Sequence, residues 1–201
     1  MNILLDKLPT EYQGYKLSTD FRVGIALCNL LDDYNKSDDD KLDDAIDLLW
    51  GSGVPTILTD DGILVDYELV YKTINWFISG GNPKEEGSKK DNKNSEIVKD
   101  IPYDFDTDAD FIVAAFIQQY NIDLTETNMH WFKFLALFKS LTNTVFNRIQ
   151  EIRTQDPLDI PAGKARAAAL KQKEAFKITK VSPQRKAELE AVFGDEWEQH
   201  I

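Results

Sequence analysis

The chain has 201 residues, 42% of them hydrophobic, and a formal net charge of −12. That length allows one compact domain or two small ones, and the acidic balance excludes sequence-independent nucleic-acid binding, which needs a basic footprint. One cysteine, Cys28, excludes an intramolecular disulfide, and no window approaches the ~18 apolar residues of a membrane span.

The charge is unevenly spread. Residues 1–80 carry 15 acidic and 6 basic side chains, whereas residues 161–201 carry 6 acidic and 8 basic ones. Seven prolines and ten glycines are few for the length, which favours helices over a turn-rich sandwich. The start, MNILLDKLPTEY, lacks a basic region followed by a long apolar stretch, so no secretory signal is expected.

In chain order, Ile3 to Tyr15 reads as extended or irregular, broken by Pro9 and Gly14. Ser18 or Thr19 can cap a first helix, with Asp20 at its positive end and Phe21, Ile25, Cys28 and Leu31 as an apolar stripe. Asp38, Asp39 and Asp40 lead a second helix that Gly51 and Gly53 stop. A third is predicted from about Leu64 to Ser79, on Leu64, Tyr67, Tyr71, Ile74 and Ile78. Residues 81–100 are rich in Gly, Lys, Asn and Glu and read either as a linker or as a long loop inserted in one domain.

Beyond it, Phe111 to Tyr120 predict a helix. Thr125 is expected to cap a longer one carrying Trp131, Leu135, Phe138, Leu141, Val145, Ile149 and Ile152. Pro157 and Pro161 interrupt the chain, AGKARAAALKQKEAFKI is a strong helix former, and Ser182 and Pro183 open a last helix with Leu189, Val192 and Trp197 on one side. The expected fold is mainly α, in small bundles: an N-terminal helical region (1–80), a linker or loop (81–100), a central helical region (101–156) and a C-terminal helical tail (157–201).

Candidate chemistry is sparse. In PYDFDTDADFIVAAF, Asp104, Asp106, Asp108 and Asp110 alternate as in a calcium loop. Starting such a loop at Asp104 puts Ala109 and Ala115 where Gly and Glu are needed, and starting at Asp106 puts Phe111 and Ile117 there. Helix initiation fits better, with Thr107 and Asp110 as a capping-box-like pair. One Cys and two His cannot build a familiar zinc site. His130 is expected to pack or cap, with Glu126 within reach, and Cys28 to be a small buried hydrophobe. No GxSxG elbow or GxGxxG turn occurs, and IPAGKARA fails the phosphate-loop pattern at Leu158 and Ala165. No catalytic constellation, metal or cofactor is expected. The clusters Trp76/Phe77 and Trp131/Phe132/Phe134 suit a core, or anchors in an interface.

The stretch FDTDADFIVAAFIQQYNIDLTETNMHWFKFLALFKSL, Phe105 to Leu141, resembles the signature of the gene-product-fifteen family of tailed phages and prophages of Gram-positive bacteria. The elements are Ala114–Ala115–Phe116 after the aspartates, then Gln119 to Leu124, then Met129–His130–Trp131 followed by Phe134. ILLDKLPTEY and Ile78 to Gly81 also fit, so the resemblance covers most of residues 1–155. It implies a helical, non-catalytic protein in the genomic slot of tail assembly chaperones. Such a protein binds the tape measure protein, helps tail tube assembly in the host bacterial cytoplasm and is absent from the mature virion. The alternative is a structural or connector component retained in the tail. Implied partners are the tape measure protein, the major tail (tube) protein and a second copy, with no nucleic acid or membrane. Candidate contact residues are Trp131 and Phe134, with Ala167, Leu170 and Phe176 on the tail helix.

Overall fold

The structure, a computed structural model, describes residues 2–60, 62–83, 97–98, 101–181 and 183–194. Its elements in order are β1 (Glu11–Tyr12), β2 (Tyr15–Lys16), α1 (Phe21–Leu31), α2 (Asp38–Trp50), β3 (Thr56–Thr59), β4 (Gly62–Val65), α3 (Tyr67–Ile78), β5 (Ile97–Val98), α4 (Ala109–Tyr120), α5 (Trp131–Lys139), α6 (Val145–Thr154), a 3-10 turn (Pro157–Asp159), α7 (Lys164–Phe176), β6 (Lys180–Val181) and α8 (Pro183–Phe193). The fold is mainly helical, and its sheets are antiparallel two-stranded pairs, β1–β2, β3–β4 and β5–β6. Most of the polar 81–100 stretch, and Ser182 and Trp197 of the last predicted helix, lie outside the described residues.

The chain forms two compact units. The first holds residues 1–90 together with 127–140, and the second holds 91–126 and 141–201. The helix predicted to run unbroken from Thr125 to Ile152 is therefore two helices, α5 in the first unit and α6 in the second. Local chemistry explains the break. Asn143, directly before the α6 cap, has φ +56°, a left-handed conformation through which a right-handed helix cannot run. Thr144 then opens α6 with a reciprocal capping box to Asn147, satisfying two main-chain donors at once. The cap of α5 is His130 and not Thr125, whose N–H and hydroxyl both donate to Asp123.

The first unit is built around Trp131. An ideal Cβ on Gly24 would lie 2.2 Å from the Trp131 ring, so only glycine lets the indole lie flat on α1. The indole N–H donates to the Phe77 carbonyl at 2.9 Å, and Trp131 and Phe134 stack with centroids 5.5 Å apart. Phe21, Leu27, Leu49, Val70, Phe77 and Phe134 are buried around it. The buried row of α1 is Phe21, Gly24, Leu27 and Leu30, rotated from the expected stripe because a glycine occupies the closest approach. Its cap is Asp20, which accepts from the Arg22 N–H. On α3 the buried residues are Val70, Thr73, Ile74 and Phe77, while Tyr67 and Tyr71 are exposed. Leu64, expected in that helix, belongs to β4.

His130 closes the first unit. Its Nδ1 accepts from the Phe132 N–H at 3.0 Å and caps α5, and its Nε2 lies 2.8 Å from the Pro9 carbonyl. A main-chain N–H can only donate, so Nδ1 is bare and Nε2 carries the proton. The bonds go to Pro9 and Phe132, not to Glu126. The second unit has its own core, with Phe105, Ile112, Phe116, Leu124, Leu141, Phe146, Ile149 and Leu189 buried.

Both contacts of the first unit can be tested by substitution. Gly24→Ala should destabilise it by about 1–3 kcal/mol or more through overpacking, read as a lower urea midpoint with red-shifted tryptophan emission. Burial lowers the His130 pKa, against the upward pull of the Pro9 bond. The neutral ring is thus the folded form; its contribution to stability is complete above the unfolded pKa and is lost as pH falls through the lower folded value. The melting temperature should begin to fall below roughly pH 7.5 and keep falling beneath the ordinary histidine value of about 6.5, and His130→Asn, which keeps a cap acceptor, should flatten that slope.

Candidate partner-binding surface

The alternating aspartates take different partners. Asp104 Oδ1 accepts from the N–H groups of Asp106 (3.1 Å) and Thr107 (2.9 Å), and its Oδ2 lies 3.1 Å from Lys180 Nζ. Burial pushes its pKa up, but the bonds from Thr107 and Lys180 outweigh that and hold it below the usual carboxylate range. Asp108 is fully buried and pairs with Arg153 through two parallel bonds, Nη1 to Oδ2 at 2.6 Å and Nη2 to Oδ1 at 2.8 Å. Its Oδ2 also accepts from the Asp104 N–H. Asp108 occupies the N-cap position of α4 but makes no side-chain cap there; the carboxylate is spent on Arg153. The expected Thr107/Asp110 box is not formed. Among the described residues no group of three or more His, Cys, Asp or Glu is placed to hold a metal ion.

Arg153 is itself buried. Beyond Asp108, it donates from Nε to the Phe176 carbonyl at 2.6 Å and from Nη1 to the Pro102 carbonyl at 3.3 Å. One guanidinium therefore ties α6 to the start of α4, to the Pro102 segment and to the end of α7. Further polar ties hold α7. Arg166 donates to the carbonyls of Ile160 and Leu158, and Lys173 to that of Gln155. Arg166, Ala169, Lys173 and Phe176 form its half-buried row, and none of its residues is fully buried.

What α7 leaves in solvent is a face of lysine and small apolar groups, Lys164, Ala167, Ala168, Lys171 and Ala175, flanked by Leu170 at 51% exposure and by the exposed Glu174 one turn on. Of the five candidate contacts, Ala167 and Leu170 lie on this exposed side. Phe176 is half-buried on the inward row. Trp131 and Phe134 are 1% and 0% exposed; they are core residues of the first unit, so their surface is not offered to a partner. Aromatic side chains serve cores and interfaces equally well, which is why composition did not separate the two uses.

Sequence reasoning missed Arg153 and Asp108. The signal was present: Phe146, Ile149 and Arg153 share one buried helical row, and a charge on such a row needs a buried counterion. Cys28 is mostly buried, and burial first, then the Asp32 charge, pushes its thiol up to about 12. It stays protonated near neutral pH and is a poor nucleophile.

Removing one partner of a buried pair strands the other charge. Arg153→Ala should therefore cost about 3–5 kcal/mol and release α7, read by urea denaturation and by faster amide exchange in α7. Asp108→Leu combined with Arg153→Met should recover most of that stability.

No helix among the described residues is long and apolar enough to cross a membrane. No curated protein and no solved structure matches the chain. A match does come from the sequence profile of the Bacteriophage Gp15 protein, over residues 4–178, from ahead of β1 to just past α7, and the chain belongs to that family.

Proposed function

We propose that this protein is a non-catalytic phage tail assembly chaperone. It binds the tape measure protein in the host bacterial cytoplasm, helps tail tube assembly and leaves before the particle is complete. The observation that carries the reading is α7, a 13-residue helix that buries none of its side chains fully and is held to its unit through main-chain carbonyls. Its exposed alanines and Leu170 suit close packing against an apolar helix face, the helix-in-groove mode of recognition. A contact of this size and polarity is reversible, which a displaced chaperone requires. The net charge of −12 keeps a crowded assembly soluble.

Co-expression with the tape measure protein of the same phage tests the reading. Soluble tape measure protein is expected only when this chain is present. Leu170→Glu should reduce the recovered complex at least tenfold while its own stability changes by less than ~0.5 kcal/mol, as for an exposed site. An insoluble tape measure protein in both cases would sink the proposal. Mass spectrometry of purified particles decides between a chaperone and a retained connector, since a connector is present at fixed stoichiometry.

A further inference from the structure

The β3–β4 hairpin carries aliphatic side chains on both faces. Its register sets Leu58 opposite Ile63 and Ile57 opposite Leu64, and directly opposed residues share a face. Leu58 and Ile63 are 84% and 72% exposed, against 44% and 53% for Ile57 and Leu64. One face is thus almost wholly in water. The strand edge is open there too. The Tyr15 hydroxyl lies 3.4 Å from both the Thr56 nitrogen and the Thr56 carbonyl oxygen. Residues two apart on a strand present their main-chain groups alike, so Leu58 offers its own N–H and C=O beyond that tyrosine. Natural sheets blunt exposed edges with charges or proline; β3 has neither.

The hairpin has an acidic turn and belongs to an acidic stretch of the chain. Asp60 is exposed in its turn, and residues 1–80 hold 15 acidic against 6 basic side chains. The complementary surface is on the same chain: the outer side of α7 exposes Lys164 and Lys171 against the single acid Glu174, with Leu170 and the alanines between them. We propose that the Leu58–Ile63 face of one copy docks on α7 of a second copy, head to tail. Two hairpins meeting would bring acidic surfaces together, and two α7 helices would bring basic ones together, whereas hairpin on helix pairs opposite signs. A head-to-tail contact leaves one free surface of each kind, so it propagates or closes into a ring. Strands of four residues give a small contact beside the ~800 Å² per partner of a standard interface, so association is weak and concentration-dependent. The inference does not rest on the chaperone reading; if both hold, a client on α7 competes with self-association.

Sedimentation of the full chain over a wide concentration range tests it. The mass should rise from that of the 23.0 kDa monomer towards multiples, and association should weaken at least tenfold when salt is raised from about 0.05 M to about 0.5 M. Leu58→Glu and Leu170→Glu should each abolish association while their thermal melts match the parent, and Lys171→Glu should weaken it through charge alone. An equimolar mixture of the two leucine variants retains one intact hairpin–helix pair and should stop at the heterodimer. A monomer at every concentration would overturn the proposal. So would association that survives Leu58→Glu, association that survives Leu170→Glu, or a mixture that stays monomeric.

Discussion

The second unit depends on a charge that has nowhere to go but Asp108. Arg153 enters the core on the same helical row as Phe146 and Ile149, and an ionised group there is tolerated only when its donors are matched. The bidentate pair with Asp108 supplies that match, and the carbonyls of Pro102 and Phe176 take further N–H groups. The geometry has a structural price: four segments must be held at fixed distances for one planar group to be satisfied. The pair specifies where α4 begins and where α7 ends more than it adds stability. The exposed face of α7 is positioned from the inside, by a residue that no partner would touch.

The first unit solves the same problem by shape. Gly24 removes a side chain from α1, the Trp131 ring fills the space, and its N–H reaches the Phe77 carbonyl. Phe21, Phe134 and Phe138 continue the stack at centroid distances of 5.0 and 5.7 Å. Dispersion and aromatic geometry do here what hydrogen bonds do in the other unit. His130 links the two ends of this packing, capping α5 with one nitrogen and holding the Pro9 carbonyl with the other.

Much of this was legible in the residues. The mainly helical class, the aspartate-led start of α2, its stop at Gly51, the span of α4 and the alanine-rich α7 all follow from capping, breakers and propensity. Three features were not, each for a physical reason. The split between α5 and α6 was hidden because Leu141 and Val145 continue the apolar spacing, although Val145 is 61% exposed. The β3–β4 hairpin was hidden because TILTDDGILV has aliphatics on both faces and so lacks the period-two alternation of a half-buried strand. The burial of Trp131 and Phe134 was hidden because residue type alone does not separate a core aromatic from an interface one. Of the candidate contacts on α7, Leu170 and Ala167 are exposed and Phe176 is half-buried on the inward row with Arg166, Ala169 and Lys173, a division that the near-uniform alanine and lysine spacing of the helix does not reveal.

The return of residues 127–140 to the first unit has a consequence for synthesis. When residue 90 leaves the ribosome, the segments of α1, α2 and α3 have been made without the tryptophan they pack around. At ordinary elongation rates the missing helix arrives roughly 3–10 s later. For that interval the Gly24 notch and the Phe77 carbonyl wait for a segment still being made. A fragment ending near residue 90 would stay in that state permanently, so the first unit cannot be produced by truncation. Supplying α5 on a separate peptide, or moving the chain ends so that it follows α3 directly, would let the unit close by itself.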